Sequence, residues 1–129
     1  MDGTLNNASP IVLIVEDDPF LRMLAVEVIE DAGFVVLEAG DADEAVALLE
    51  SRSDVALLFT DIDMPGSMNG LKLAHAARNR WPSIKIVIVS AVARPQPHEL
   101  PSNSCFFEKP YRPAAMVAEL RSLAGSAAP

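Results

Sequence analysis

Five short apolar runs divide the sequence, and a polar or turn-forming segment follows each of them. The runs occupy residues 11–15, 34–39, 55–59, 84–89 and 105–108. They are rich in Val, Ile, Leu and Phe, and the first and third carry no polar residue on either face. Such runs are typical of strands buried within a parallel sheet. The pattern therefore predicts five parallel strands.

Helical spacing and helix-start signals fill the intervals between these runs. They predict helices over about residues 20–32, after Asp41, over about 71–80, and from Pro113 onward. In the first helix we expect one apolar stripe to face the sheet, formed by Leu21, Leu24, Ala25, Val28 and Ile29. Prolines at positions 95, 97 and 101 permit at most about one turn of helix before the last strand.

Strands and helices thus alternate along a chain of 129 residues. This order favours a single α/β domain with right-handed crossovers and helices on both faces of the sheet. We assign residues 11–124 to this domain. Residues 1–10 and 125–129 are mostly small or polar, and we expect them to be flexible tails.

Composition narrows the range of partners. A formal net charge of -8 makes the domain a poor electrostatic partner for nucleic acid or anionic lipid. No apolar run approaches the roughly 18 residues of a membrane span, and the first residues lack the apolar core of a secretory signal. The single Cys105 cannot form an intramolecular disulfide, which suits a reducing compartment. We expect a cytoplasmic protein that binds neither nucleic acid nor membranes.

Polar side chains stand where four of the predicted strands end. They are Glu16, Asp17, Asp61, Ser90 and Lys109. Because the carboxyl ends of parallel strands share one edge of a sheet, we expect these side chains to converge there. Any one of them alone is more often a helix cap or a solvated turn residue, but together they indicate a site.

The residue types at this edge point to phosphoryl chemistry. Unit charges about 4 Å apart interact by roughly 4 kcal/mol at an effective dielectric of about 20, so clustered carboxylates need a cation. A few hard oxygen ligands suit Mg²⁺, while Lys109 and the Ser90 hydroxyl can donate to an anion. Phosphoryl transfer is catalysed mostly by positioning and charge neutralisation. We therefore predict that Asp61 is a carboxylate nucleophile that accepts a phosphoryl group.

Longer motifs around these residues carry a family signature. They are residues 15–19 (Val-Glu-Asp-Asp-Pro), 61–65 (Asp-Ile-Asp-Met-Pro), Gly70, 89–91 (Val-Ser-Ala) and 108–110 (Glu-Lys-Pro). With these motifs the sequence resembles the receiver domain of bacterial two-component response regulators. The resemblance implies a flavodoxin-like (βα)5 fold, with helices on both faces of a five-stranded parallel sheet of order 2-1-3-4-5. The prolines add the expectation that the fourth helix is shortened or irregular.

The same resemblance implies roles for the site residues. Asp61 would accept the phosphoryl group of a kinase phosphohistidine, and Lys109 would pair with that group. Asp17 would bind Mg²⁺, Glu16 would act on the metal through water, and Asp63 would offer its backbone carbonyl.

The resemblance also implies a switch and an output. Ser90 would be the switch hydroxyl and Phe106 the switch aromatic. The segment between Ser90 and Lys109 is shorter than the family usually has, and its prolines remove much of a helix that most receivers use for output and dimerisation. We therefore expect a monomer or a weak dimer that contacts an unidentified output protein.

These features predict a stand-alone receiver that is phosphorylated by a histidine kinase or histidine phosphotransferase. It would be a signalling module and not an enzyme, beyond catalysing its own phosphorylation and dephosphorylation. Three alternatives stay open at this point: an aspartate-nucleophile phosphatase of the haloacid-dehalogenase type, a receiver cut from a hybrid kinase, and a degenerate receiver that works without phosphorylation.

Overall fold

Five parallel strands lie side by side in the order β2-β1-β3-β4-β5. The computed structural model describes residues 9–126. The strands are β1 Ile11–Val15, β2 Val35–Ala39, β3 Val55–Asp61, β4 Lys85–Ser90 and β5 Ser104–Glu108. The predicted flavodoxin-like sheet and its strand order are confirmed.

Helices cover both faces of the sheet, as predicted. They are α1 Pro19–Asp31, α2 Ala42–Ser51, α3 Gly70–Arg80 and α4 Pro113–Ser126. Side chains of each strand alternate between two apolar clusters, because successive residues of a strand point to opposite faces. One cluster contains residues of α1 and α4, including Ile29 and Met116, and the other contains residues of α2 and α3, including Leu49 and Leu73.

Local signals fix where the helices begin. Asp18 caps α1, since its carboxylate accepts from the backbone amides of Phe20 and Leu21. The helix predicted to follow Asp41 is confirmed, and Asp41 caps it, because its Oδ1 accepts from the Glu44 backbone amide at 2.8 Å. Glu44 in turn accepts from the backbone amide of the residue before the cap. These caps satisfy amides that have no partner within the helix.

Helix α3 ends at Arg80, close to the predicted end at about residue 80. Pro82 accounts for this end, because the residue before a proline disfavours the helical conformation. The Trp81 amide donates to the Ala77 carbonyl, and the Arg80 guanidinium carbon lies 4.4 Å from the centre of the indole. This tryptophan therefore marks the end of α3 that is far from the carboxyl edge of the sheet.

The predicted inward stripe of α1 is only partly right. Ala25 and Ile29 are buried against the sheet, but Leu21 and Leu24 are 42% and 40% exposed. The physical reason is position, because the first turns of α1 border an open groove at the carboxyl edge instead of the sheet surface. Helical periodicity identifies an apolar face but not how far the neighbouring elements extend along it.

The fourth helix of the predicted order is reduced to a 3-10 turn at Pro97–Glu99. Arg78 of α3 ties the residues that follow this turn to the loop before β4. Its guanidinium donates to the carbonyls of Ser102 and Asn103 on one side and to those of Pro82 and Ile84 on the other. His75 Nε2 lies 2.6 Å from the Glu99 carbonyl oxygen. The prediction of at most one turn is confirmed, and α3 anchors the segment that replaces the helix.

The last helix, α4, continues to Ser126, beyond the predicted domain end at residue 124. Of the two predicted tails, residues 1–8 and 127–129 lie outside the described residues. Between residues 9 and 126, no helix is both long and apolar enough to cross a membrane.

Candidate functional site

Four strands deliver the predicted polar residues to one edge of the sheet. Glu16 directly follows β1, Asp61 and Ser90 are the last residues of β3 and β4, and Lys109 directly follows β5. The register aligns these ends, since Asp61 pairs with Val89 and Ser90 pairs with the last residue of β5. The structure thus brings together the side chains that the sequence placed at strand ends.

Lys109 lies between two buried carboxylates. Its Nζ is 2.9 Å from Glu16 Oε1 and 2.9 Å from Asp61 Oδ1. Both acids are almost fully buried, at 6% and 5% exposure. Buried charges are tolerated when they are paired and hydrogen-bonded, and here one ammonium serves both acids.

A third acid completes an acidic cluster. Glu16, Asp17 and Asp61 each offer a carboxylate oxygen, and these oxygens lie within 4.8 Å of one another. Three negative charges facing one ammonium leave an excess that a divalent cation would offset. Hard oxygen donors, few in number and one of them exposed to solvent, fit Mg²⁺, which keeps several of its waters.

Burial perturbs the charges of this cluster. Burial raises the pKa of Asp61, the bonds to Lys109 lower it in part, and the charges of Glu16 and Asp63 raise it further, so that the net direction is upward. Burial by itself would lower the pKa of Lys109, but its bonds to Glu16 and Asp61 outweigh burial and hold that pKa above its usual value. Lys109 is therefore a permanent cation at neutral pH, and added positive charge would favour the ionised form of Asp61.

The Ser90 hydroxyl is hydrogen-bonded to the side chain of Asp63. Ser90 is fully buried, and its Oγ donates to Asp63 Oδ2 at 2.6 Å. The same oxygen accepts from the backbone amides of Val92 and Ala93, at 3.2 and 2.8 Å. Phe106 lies half-buried on the neighbouring strand β5 and packs against the apolar cluster of α2 and α3.

The contacts of several supporting residues were not predicted from the sequence, although Gly70 was among its motifs. Arg22 Nη1 donates to the Glu16 carbonyl at 2.8 Å, and Thr60 Oγ1 donates to the Asp61 carbonyl at 2.9 Å. Gly70 lets α3 begin directly against the Asp61 backbone, because a Cβ at this position would overlap the carbonyl group. Asp18 before Pro19 is a helix-cap signature that could have been found, whereas the Arg22 contact has no local signal.

A mostly apolar groove opens beside the cluster. It has a volume of about 440 Å³ and runs between α1 and the segment after β5. Its lining is apolar apart from Glu16 and Lys109, and it includes Leu21, Leu24, Val28, Phe59, Tyr111 and Pro113. The rings of Phe59 and Tyr111 meet edge to face at 6.1 Å. The groove therefore joins an apolar surface to the charged edge of the sheet.

Comparison with known protein families shows which family has this arrangement of residues. Residues 12–121 match the family model described as the response regulator receiver domain. The chain belongs to this family. Receiver domains are signalling modules that bind Mg²⁺ through acidic residues and interact with histidine kinases and phosphotransferases. Membership favours the receiver interpretation over the phosphatase alternative.

Individual relatives agree with the family match. The response regulator receiver protein CpdR of Brucella abortus is 30% identical over 115 residues, covering 87% of this chain and 94% of that protein. The glycerol metabolism activator of Pseudomonas putida is 40% identical over 82 residues, but the match spans only 37% of that protein. This receiver chain is thus similar both to a protein of its own size and to a part of a larger regulator.

Solved receiver structures show the same fold. A CheY-like receiver from Methanospirillum hungatei superposes with a TM-score of 0.82 at 22% identity, covering 92% of this chain and 96% of that one. A response regulator receiver protein from Sinorhizobium medicae superposes with a TM-score of 0.81 at 26% identity, covering 92% and 97%. The receiver fold therefore extends over nearly all of the chain.

Proposed function

We propose that this receiver accepts a phosphoryl group on Asp61 from a histidine kinase or histidine phosphotransferase, with Mg²⁺, and thereby switches a protein–protein contact. One observation carries the proposal: Asp61 is a buried carboxylate at the end of β3 whose Oδ1 lies 2.9 Å from the Lys109 ammonium. Two further acids lie beside it. A nucleophile, a fixed cation and a place for a metal are the parts that phosphoryl transfer needs.

The transfer itself is a simple exchange of bonds. A carboxylate oxygen of Asp61 attacks the phosphorus of a phosphohistidine, a P–O bond forms, and the P–N bond breaks. The electron pair of that bond stays on the imidazole nitrogen, and nothing is oxidised or reduced. Lys109 offsets the negative charge that arrives at Asp61, since it is already paired with this carboxylate.

The acids next to Asp61 fit a magnesium ion. The carboxylates of Asp17 and Asp61 would hold Mg²⁺ directly. The family resemblance adds the backbone carbonyl of Asp63 as a ligand and a role for Glu16 through water. When bound, Mg²⁺ supplies positive charge to the oxygens of the phosphoryl group. The three carboxylate groups lie close enough to share one cation, which supports this assignment.

The switch follows from the charge of the product. A phosphoryl group carries about -1.5 to -2 charges, and hydrogen bonds to charged groups contribute roughly 1.5–3 kcal/mol each. Moving a two-state equilibrium from 1:99 to 99:1 takes about 5.5 kcal/mol, so the Ser90 hydroxyl and a backbone donor could supply most of it. Phe106, on the strand next to Ser90, would then pack into the space that the hydroxyl leaves.

The apolar groove supplies a place for the phosphodonor protein. Exposed apolar side chains extend it over the surface of α1, namely Phe20, Leu21, Met23 and Leu24 at 62%, 42%, 48% and 40% exposure. An apolar helix face that stays exposed beside a charged site is typical of a protein-binding surface. A donor helix lying in the groove would reach Lys109, one of its lining residues, and with it Asp61.

Phosphorylation by acetyl phosphate tests the proposal directly. With Mg²⁺ we expect the intact mass to rise by one phosphoryl group, with no gain in Asp61→Ala or in excess EDTA. Asp31→Ala removes an exposed acid at the end of α1 and should label like the wild type. No mass gain in the wild type with Mg²⁺ would contradict the proposal, and repeated turnover of a generic phosphate ester would favour a phosphatase.

A further inference from the structure

We propose that the Asp63 carboxylate is a latch that holds the Ser90 hydroxyl in its resting position and sets how readily the receiver switches. The inference rests on the proposed function, because the latch opposes the contact between Ser90 and a phosphoryl group on Asp61. It concerns the side chain of Asp63, whereas the proposed metal role of that residue concerns its backbone carbonyl.

The contacts of Ser90 leave its hydroxyl no spare capacity. A hydroxyl has one proton to donate and two lone pairs that accept. The proton lies toward Asp63 Oδ2, with the two oxygens 2.6 Å apart. The lone pairs accept from the backbone amides of Val92 and Ala93. The charged acceptor and the short distance make the bond to Asp63 the strongest of the three.

The latch and the phosphoryl group compete for the same proton. Ser90 cannot donate to Asp63 and to a phosphoryl oxygen at once, since it has a single hydroxyl hydrogen. Molecules in which Ser90 is still bonded to Asp63 cannot form the hydrogen bond to the phosphoryl group. The apparent affinity for a phosphoryl group falls by the fraction of such molecules, because only the competent state contributes to binding.

The same hydroxyl ties the latch to the segment that follows β4. Val92 is 79% exposed, so packing does little to hold this residue in place. Its amide and that of Ala93 both donate to Ser90 Oγ. When the hydroxyl turns, both amides lose their acceptor, and the start of the segment must move. Asp63 therefore acts on this segment through Ser90, as a positioning residue.

A test must separate the effect of the Asp63 charge from the effect of its hydrogen bond with Ser90. Asp63 carries a negative charge close enough to disfavour the charge of Asp61, so its removal would tighten anion binding even without a latch. A double-mutant cycle removes this ambiguity, because the charge effect of Asp63→Ala is also present when Ser90 is replaced. The latch is the part of the effect that requires the hydroxyl.

Beryllofluoride, which mimics a phosphoryl group on a carboxylate, is the probe. It is titrated with Mg²⁺ into the wild type, Asp63→Ala, Ser90→Ala and the double variant, and the amide resonances of Val92 and Ala93 are followed by NMR. We expect Asp63→Ala to tighten binding about ten- to a hundredfold more in the wild-type background than in the Ser90→Ala background, the range for a hydrogen bond to a charged group. An equal effect in both backgrounds would overturn the latch.

Asp63→Asn gives a matched variant that keeps an acceptor oxygen but loses the charge. In ligand-free protein we expect exchange of the Val92 and Ala93 amides to quicken in Asp63→Ala and to stay near the wild-type rate in Asp63→Asn. Unchanged exchange in Asp63→Ala would overturn the latch. If the wild type fails to bind beryllofluoride, the proposed function fails, and the exchange measurement still decides whether Asp63 holds Ser90.

Discussion

Replacing Lys109 with methionine should destabilise the protein strongly when no divalent cation is present. The substitution removes the ammonium that lies 2.9 Å from both Glu16 and Asp61, while methionine keeps a side chain of similar length. Glu16 and Asp61 would then remain buried together without their cation. Uncompensated buried charge, rather than lost packing, is the expected cause of the instability.

The magnitude follows from the burial of both partners. Removing one member of a buried ion pair costs about 3–5 kcal/mol, and the lysine itself is only 20% exposed, so solvent screens the pair weakly. A domain of this size loses about 3–5 °C in Tm per kcal/mol. We therefore expect the Tm to fall by about 9–25 °C at pH 7. The deficit should shrink as the pH falls, because protonation removes the unpaired charge, and burial already raises the pKa of Asp61.

Urea unfolding followed by circular dichroism in EDTA measures this effect. Lys72→Met, which removes an exposed lysine from α3, is the control and should change stability by less than about 0.5 kcal/mol. Asp61→Asn combined with Lys109→Met should recover much of the loss, and added Mg²⁺ should stabilise Lys109→Met. A loss below about 1 kcal/mol for Lys109→Met in EDTA would refute the view that the buried acids depend on this lysine.

Three further predictions concern residues outside the acidic cluster: Arg78, Gly70 and Cys105. Arg78→Lys should lower stability by about 1–2 kcal/mol and speed proteolysis within residues 94–103, because an ammonium cannot serve four carbonyls as the guanidinium does. Gly70→Ala should cost more than about 3 kcal/mol in urea unfolding, since the added Cβ would overlap the Asp61 carbonyl; a cost below about 1 kcal/mol would contradict this close approach. Burial and the hydrogen bond to Glu119 raise the pKa of Cys105 to about 11, so alkylation at pH 8 should be about a hundredfold slower than for a free thiol. Glu119→Gln should speed this alkylation, and a rate like that of a free thiol in the wild type would refute the assignment.

Strand positions and the site they form could be predicted from the sequence because both depend on local patterns. An apolar run that stops at an acid, as at Asp61, marks a strand and its end in the same few residues. Parallel pairing then gathers such ends at one edge without any knowledge of distant contacts. The caps of α1 and α2 follow from single residues at their N-termini.

Features that depend on contacts between distant parts of the chain could not be predicted in this way. The Ser90–Asp63 bond joins side chains 27 positions apart, and the choice of Asp63 as acceptor depends on rotamers that no local pattern fixes. Arg78 holds the segment that takes the place of a helix, because its guanidinium donates to carbonyls on two different segments. The residues next to Arg78 in the sequence do not indicate these contacts. The exposure of Leu21 and Leu24 likewise depends on where the groove opens.

The position of Trp81, far from the candidate site, lets its fluorescence report on folding independently of binding at that site. Trp81 is the single tryptophan of the sequence and stands at the end of α3, while Gly70, about 17 Å away along the helix axis, lies against the backbone of Asp61. Its emission should report whether the chain is folded, with little response to what occupies the carboxyl edge. Tyr111, beside Lys109 in the lining of the groove, is the natural chromophore for occupancy. Folding and occupancy of the groove can therefore be followed separately in one sample, through two different aromatic residues.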